Sequence, residues 1–144
     1  TVFGYSYRMR TDLLLNNLVL LALKNKKLKI FEPHFRRNFV HVRDVCDGII
    51  YGIDNFYKLK NNIFNLGMSK ANITKLQMVN KIKKHLPKLK IAIDNSTKDP
   101  DKRDYYVSNR KIENQGFKAK ISIDQGIKEL LKIYQTNEQF INNY

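Results

Sequence analysis

The stretch RRNFVHVRDVCDGI, residues 36–49, decides the fold, because a strand pattern gives way to a helix pattern inside it. A strand over residues 38–42 is indicated by the apolar residues Phe39, Val40 and Val42. A helix from about Asp44 to Phe56 is indicated by apolar residues at a spacing of three or four: Val45, Ile49, Ile53 and Phe56. Arginines stand on both sides of the strand, so positive charge is expected at its ends.

Size and composition point to one domain with an apolar core. The chain has 144 residues, of which 42% are hydrophobic. Its one cysteine, Cys46, excludes a disulfide framework within the chain, and its position in the helical pattern predicts burial. The longest apolar run is interrupted at Asn16 and Asn17 and is too short to span a bilayer. Without a signal-peptide pattern at its start, the expected location is the cytoplasm, with no membrane partner.

The formal net charge of +14 raises the question of nucleic acid. Much of the positive charge is lysine, scattered among segments such as LKNKKLK and NKIKKHLPKLK, where helix faces and loops hold it in solvent. A solvated basic surface is therefore favoured, and no nucleic-acid partner is expected. A small basic nucleic-acid-binding module stays open as the alternative, and FRRNFVHVR is the stretch that comes nearest to it.

Strands and helices alternate along the rest of the chain, which predicts an α/β architecture. Further strands are expected at TVFG (1–4), KLKIF (27–31), NIFNLG (62–67) and LKIAID (89–94). Further helices are expected over 12–23, after Thr74, near 108–117 and over 122–135. The predicted helix starts are a cap at Thr11 or Asp12, a cap at Asp44, and the capping boxes Thr74–Gln77 and Ser122–Gln125.

Two features suggest an incomplete α/β enzyme. The chain opens inside an expected strand without a methionine, and its six glycines do not form G-x-G-x-x-G or a P-loop. None of the eight tyrosines is followed four residues later by lysine. A dinucleotide cradle and a Tyr-x-x-x-Lys pair are therefore missing from the sequence.

The ordered segments TVFG, RMRTDLLLNNLVLLAL, KLKIF, RRNFVHVRDVCDGI, IFNLG, KRDYYVSNRKIENQGF and IDQGIKELL resemble the C-terminal portion of an extended short-chain dehydrogenase/reductase. The resemblance is to the NAD-dependent nucleotide-sugar epimerase/dehydratase branch. It implies that residues 1–144 are the substrate-binding lobe of a Rossmann-type α/β enzyme, and that residues 1–4 end a strand of the Rossmann sheet. It also implies that an N-terminal half, which would bind NAD or NADP and carry the catalytic tyrosine, is not included in this sequence.

The resemblance also implies site residues. Arg37 resembles the family's diphosphate-binding arginine, although Asn38 follows it where many relatives have aspartate. Arg103 resembles a second arginine that closes over the diphosphate or ribose. Asn17 and Leu18 resemble a pair that meets the nucleoside, with Asn16 taking that place if the register slips.

Backbone groups of Val2 and Phe3 would lie beside the nicotinamide. No catalytic residue and no metal ligand are expected in this piece. The expected function is a nucleotide-sugar-binding lobe, for a UDP-sugar, in an NAD(P)-dependent epimerase acting by transient hydride transfer. A dehydratase or reductase on the same scaffold is the alternative. The piece alone is expected to be inactive, and the complete enzyme is expected to be a homodimer.

Overall fold

The computed structural model describes residues 1–94 and 103–137 and confirms the α/β class. The strands are β1 (Val2–Phe3), β2 (Lys27–Ile30), β3 (Arg36–Asn38), β4 (Val40–His41), β5 (Asn72–Thr74) and β6 (Lys90–Ile93). The helices are α1 (Leu14–Asn25), α2 (Val42–Asp54), α3 (Phe56–Leu59), α4 (Lys75–His85), α5 (Arg110–Asn114) and α6 (Ile123–Thr136), with a 3₁₀ turn at Ser69–Ala71.

Within residues 1–94 and 103–137, the strands form three separate pairs rather than one sheet. β1 pairs with β4 and β2 pairs with β6, both in parallel, whereas β3 and β5 are antiparallel. β1 is followed by Gly4, where φ is +106° and a Cβ atom would lie 2.2 Å from Nε2 of His41. Glycine is therefore required at this point, because a side chain would be strained and would collide with a buried ring.

The core lies where α6 packs against both α1 and α4. Its fully buried side chains include Leu15, Val19, Ile82, Ile127 and Leu130. The two expected capping boxes are confirmed: the hydroxyls of Thr74 and Ser122 accept the amides of Gln77 and Gln125. These caps start α4 and α6 at the predicted residues because they depend only on residues three apart.

The stretch 36–49 differs from its expected form. The expected strand over 38–42 is two strands, β3 and β4, and α2 already begins at Val42. His41 caps α2, since its Nδ1 accepts the amide of Arg43 at 3.2 Å. The predicted cap at Asp44 is wrong: this buried carboxylate accepts the amides of Lys120 and Ile121 instead, at 2.9 and 3.0 Å, and so ties α2 to the segment before α6.

His41 and Arg43 are also joined to α6. The ring Nε2 of His41 lies 2.6 Å from Oε2 of Glu129, and Nη2 of Arg43 lies 3.1 Å from Oε1 of the same carboxylate. The His41 ring is fully buried. This contact makes it a structural histidine that holds β4 against α6.

Three other expectations are wrong. The expected cap of the first helix at Thr11 or Asp12 is absent: Leu13 occupies that position without a side-chain hydrogen bond, and α1 runs from 14 to 25 rather than from 12 to 23. Residues 62–67 are not a strand in the structure. Cys46 is exposed rather than buried, because the described residues leave the apolar side of α2 uncovered.

No helix in the described part of the chain is long and apolar enough to cross a membrane.

Candidate functional site

A pocket of about 380 Å³ brings together three of the residues that the sequence singled out, Asn17, Arg37 and Arg103. The full lining is Thr1, Asp12, Leu13, Leu14, Asn17, Arg37, Lys75 and Arg103. These residues come from the start of α1, from β3, from the start of α4 and from the segment before α5. The pocket is therefore assembled from parts of the chain that are far apart in sequence.

Arg37 is a buried cation of this pocket, with 3% of its surface exposed. It lies in the middle of β3, opposite Ile73 of β5. Its Nη1 donates to the carbonyl of Arg36 at 3.0 Å, and its guanidinium carbon lies 5.2 Å from the centre of the Tyr105 ring. The backbone carbonyl and the aromatic ring both hold the planar guanidinium in a fixed orientation.

The segment that carries Arg103 is anchored beside Arg37. Arg36 donates to Asp104 through its backbone amide at 2.8 Å and through Nε at 3.0 Å. Farther along, Asn72 of β5 exchanges two side-chain hydrogen bonds with the backbone of Val107, at 2.9 and 3.0 Å. Although Arg36 is exposed, it therefore has a structural role: it holds Asp104, the residue after Arg103, in place.

The two neighbouring asparagines of α1 have different surroundings. Asn16 is 1% exposed and does not line the pocket. Its Oδ1 accepts the amide of Gly4 at 3.0 Å, and its Nδ2 donates to the carbonyls of Gly4 and Arg10 at 3.3 and 2.9 Å. Leu18 is in the core, whereas Asn17 is only partly buried and lines the pocket. Of the three α1 candidates, the structure brings only Asn17 to Arg37 and Arg103.

Val2 and Phe3 form β1 and pair with Val40 and His41. The Phe3 side chain belongs to the core and packs edge-on against Phe39 and His41. Neither residue lines the pocket, so their assignment to cofactor contacts through the backbone stays a prediction.

The pocket has a positive electrostatic character. Its lining contains the cationic side chains of Arg37, Lys75 and Arg103. The carboxylate in the lining, Asp12, accepts two hydrogen bonds from Arg10 at 2.7 and 2.6 Å, and these lower its pKa. Because this carboxylate is exposed and paired with Arg10, the lining as a whole favours an anionic ligand.

A larger cleft, of about 620 Å³, lies beside the start of α6. Lysines 70, 118 and 120 in its lining are exposed, and Lys81 is paired with Asp124 at 2.5 Å. Its exposed ammonium groups are solvated, and the ammonium group of Lys81 is already paired with a carboxylate. We therefore assign the smaller pocket as the candidate site.

Two guanidinium groups on one pocket are suited to phosphate oxygens, since each guanidinium can donate two parallel hydrogen bonds. Among residues 1–94 and 103–137, no cluster of three or more His, Cys, Asp or Glu side chains could hold a metal ion. The chemistry that the two guanidinium groups offer is binding and orientation of an anionic ligand.

The sequence comparisons give a distant relative. No protein-family model matches the chain. An uncharacterized protein of Methanocaldococcus jannaschii is 27% identical over 121 residues, which cover 83% of this chain and 36% of that protein. The chain thus spans about a third of the length of this relative.

Solved structures give the fold. The dTDP-glucose 4,6-dehydratase of Bacillus anthracis, in complex with NAD, is 25% identical with a TM-score of 0.74, and the match covers 96% of this chain and 43% of that one. The UDP-glucuronic acid 4-epimerase of Bacillus cereus, in complex with UDP-glucuronic acid and NAD, is 19% identical with a TM-score of 0.79 over 94% and 43% of the two chains. The ADP-L-glycero-D-manno-heptose-6-epimerase of Helicobacter pylori is 23% identical with a TM-score of 0.72 over 94% and 42%.

These matches cover nearly all of this chain and less than half of each matched chain. The expected fold is thereby confirmed, and these neighbours are enzymes of the kind that the sequence resembles. The chain has the fold of the C-terminal portion of an extended short-chain dehydrogenase/reductase of the NAD-dependent epimerase/dehydratase family.

Proposed function

We propose that this chain is the substrate-binding lobe of an NAD(P)-dependent nucleotide-sugar epimerase, and that its ligand is a UDP-sugar. The observation that carries the proposal is the convergence of Arg37 and Arg103 on one pocket, together with Asn17. A dehydratase or a reductase would use the same lobe and is the alternative activity. The names of the structural neighbours support the substrate class, because they include a UDP-sugar epimerase and a dTDP-sugar dehydratase.

In this proposal Arg37 and Arg103 bind the two phosphates of the ligand. Their planar groups fix the diphosphate by charge-assisted hydrogen bonds, and the amide of Asn17 hydrogen-bonds the nucleoside or the sugar. The glycines present do not form a dinucleotide cradle, so the described residues do not fit NAD by themselves. In this proposal, hydride transfer and its general base belong to the NAD-binding half of the complete enzyme. This chain alone is then inactive.

Calorimetric titration of the chain with UDP and with a single-stranded RNA tests this function against the nucleic-acid alternative. UDP is expected to bind at one site with an affinity that falls only moderately between 50 and 200 mM salt, roughly as expected for a ligand with two phosphates. An RNA that binds more tightly than UDP, with a steep loss of affinity over the same range, would contradict the proposal and favour the basic module.

The apolar side of α2 supports the idea that this lobe works with a second α/β half. The α2 surface, as we call it, consists of Ile49, Ile50 and Ile53 of α2 together with Phe56 and Tyr57 of the adjoining α3, and all five side chains are exposed. Ile49 and Ile53 keep 58% and 68% of their surface in contact with solvent, although the sequence pattern predicts a buried helix face. Exposed apolar patches of this kind mark contact surfaces. We infer that the NAD-binding half covers the α2 surface.

Dye binding tests the α2 surface. The chain alone should bind a hydrophobic fluorescent dye, and the double variant Ile49→Ser, Ile53→Ser should lose most of the fluorescence, because these side chains are already in water and the fold does not need them. Tyr7→Ser is the matched control, since Tyr7 is fully exposed outside the α2 surface. Equal dye binding by the chain and the double variant would contradict the assignment.

A further inference from the structure

Lys75 is a buried lysine that lines the candidate pocket and that sequence reasoning missed. It is the first residue of α4, and only 4% of its surface is exposed. Lysine is rarely buried to this extent, because its ammonium group loses hydration. A buried ammonium group beside a binding pocket therefore calls for an explanation.

The β3–β5 register explains how Lys75 reaches the same pocket as Arg37. Arg37 lies opposite Ile73, and Arg36 lies opposite Thr74. The amide of Lys75 then donates to the carbonyl of Phe35 at 3.0 Å, which continues the pairing by one residue. Directly opposite side chains lie on the same face, and so do side chains two residues apart along one strand. Arg37 is opposite Ile73, and Lys75 comes two residues after Ile73, so Lys75 and Arg37 share one face of the β3–β5 pair.

The ammonium group of Lys75 is held by its surroundings. Its Nζ donates to the carbonyl of Phe31 at 3.2 Å and lies 5.6 Å from the centre of the Phe35 ring. A lysine head group has three N–H donors and acts as a compact point charge. These contacts keep the ammonium group inside the fold instead of in bulk solvent.

Three elements thus each supply a cation to one pocket of about 380 Å³: Arg37 from β3, Lys75 from α4 and Arg103 from the segment before α5. A ligand with two or more negative charges is attracted to three cationic side chains more strongly than a ligand with one. The pocket therefore matches a chain of two phosphates.

We propose that Lys75 is a third cationic ligand of the phosphate chain, through which the pocket selects nucleoside diphosphates over monophosphates. The proposal rests on the proposed function, because it takes the pocket to be the nucleotide site. Arg37 and Arg103 orient the phosphates through their forked donors, and Lys75 adds charge where the second phosphate lies.

Calorimetry with UDP, UMP and uridine tests this role in four forms of the chain: the unaltered chain, Lys75→Met, Lys75→Gln and Lys83→Met. Methionine keeps the length and apolar stem of lysine without the charge, and Lys83 is an exposed lysine of the same helix. Lys75→Met should weaken UDP binding about tenfold, the size expected for one hydrogen bond to a charged group. UMP binding should fall by about threefold or less, and uridine binding should not change. Lys83→Met should behave as the unaltered chain.

Other outcomes separate the two proposals. If the unaltered chain binds UDP and Lys75→Met binds it equally well, the role of Lys75 is refuted while the proposed function stands. An equal loss for all three ligands would also refute it, since it would mean that Lys75 only supports the shape of the pocket. If the unaltered chain does not bind UDP, the proposed function itself fails. Lys75→Gln keeps a donor for the Phe31 carbonyl without the charge, so the same comparison holds if the methionine variant does not fold.

Discussion

Replacement of Arg37 by alanine should weaken the binding of UDP to this chain by about 1.5–3 kcal/mol, which is roughly ten- to a hundredfold in affinity. The reason is that a charge-assisted pair of hydrogen bonds to phosphate disappears from a site where the guanidinium is 3% exposed and oriented by Tyr105. Arg37→Lys should restore only part of the affinity, because an ammonium group keeps the charge but not the fork. Calorimetry gives both values.

The control for the two Arg37 variants is Arg110→Ala, which removes the same charge from an exposed position on α5 outside the pocket. Arg36 is unsuitable as a control because it holds Asp104, and with it the segment that carries Arg103. If Arg37→Ala and Arg110→Ala lose the same small amount of affinity, and salt removes the loss in both, then Arg37 contributes only general surface charge.

Replacement of Asn16 by alanine should lower the free energy of unfolding by about 3 kcal/mol, because it leaves buried backbone groups of Gly4 and Arg10 without their hydrogen-bond partner. The matched variant is Asn17→Ala at the next position of α1. It should change the free energy of unfolding by less than about 1 kcal/mol and should weaken UDP binding instead. Urea denaturation measures the first effect and calorimetry the second.

These neighbouring variants therefore separate support of the fold from contact with the ligand. A stable Asn16→Ala variant with impaired UDP binding would mean that Asn16, not Asn17, is the ligand-binding residue. The register of α1 in the site would then be shifted by one residue from the one described.

Local signals in the sequence predicted the helix starts where the partner is close in the chain. Thr74 with Gln77 and Ser122 with Gln125 form caps through residues three apart, and both are present as expected. Asp44 has the same local appearance as a cap, but its partners are the amides of Lys120 and Ile121. Hydrogen bonds to donors so far away in the chain cannot be predicted from the residues around position 44.

The exposure of the apolar side chains of α2 could not be predicted for a related reason. The spacing of Ile49 and Ile53 indicates an apolar face, and periodicity cannot say whether the residues that cover this face are in the same chain. Here they are not among the described residues, so Cys46, Ile49 and Ile53 are exposed. The mistaken expectation for Cys46 followed from treating every apolar face as part of one core.

Some of the residues that line the candidate pocket were named from the sequence. Resemblance pointed to Arg37, Arg103 and Asn17, which the structure brings to one pocket. It did not distinguish Asn16 from Asn17, because the difference depends on which side of α1 faces Gly4. Lys75 was missed because a lysine after a threonine cap has the appearance of an ordinary solvated helix residue, and only the β3–β5 register places it beside Arg37.

The central claim, that Arg37, Arg103 and Asn17 form one nucleotide site, is tested most directly by a nuclear magnetic resonance titration of the ¹⁵N-labelled chain with UDP. The account predicts that the guanidinium Nε–H signals of Arg37 and Arg103 and the side-chain amide of Asn17 shift together and saturate with one dissociation constant. The corresponding signals of Arg43 and Arg110 should stay in place. Shifts confined to the lysine-lined cleft beside α6, or spread evenly over all arginines, would contradict the claim.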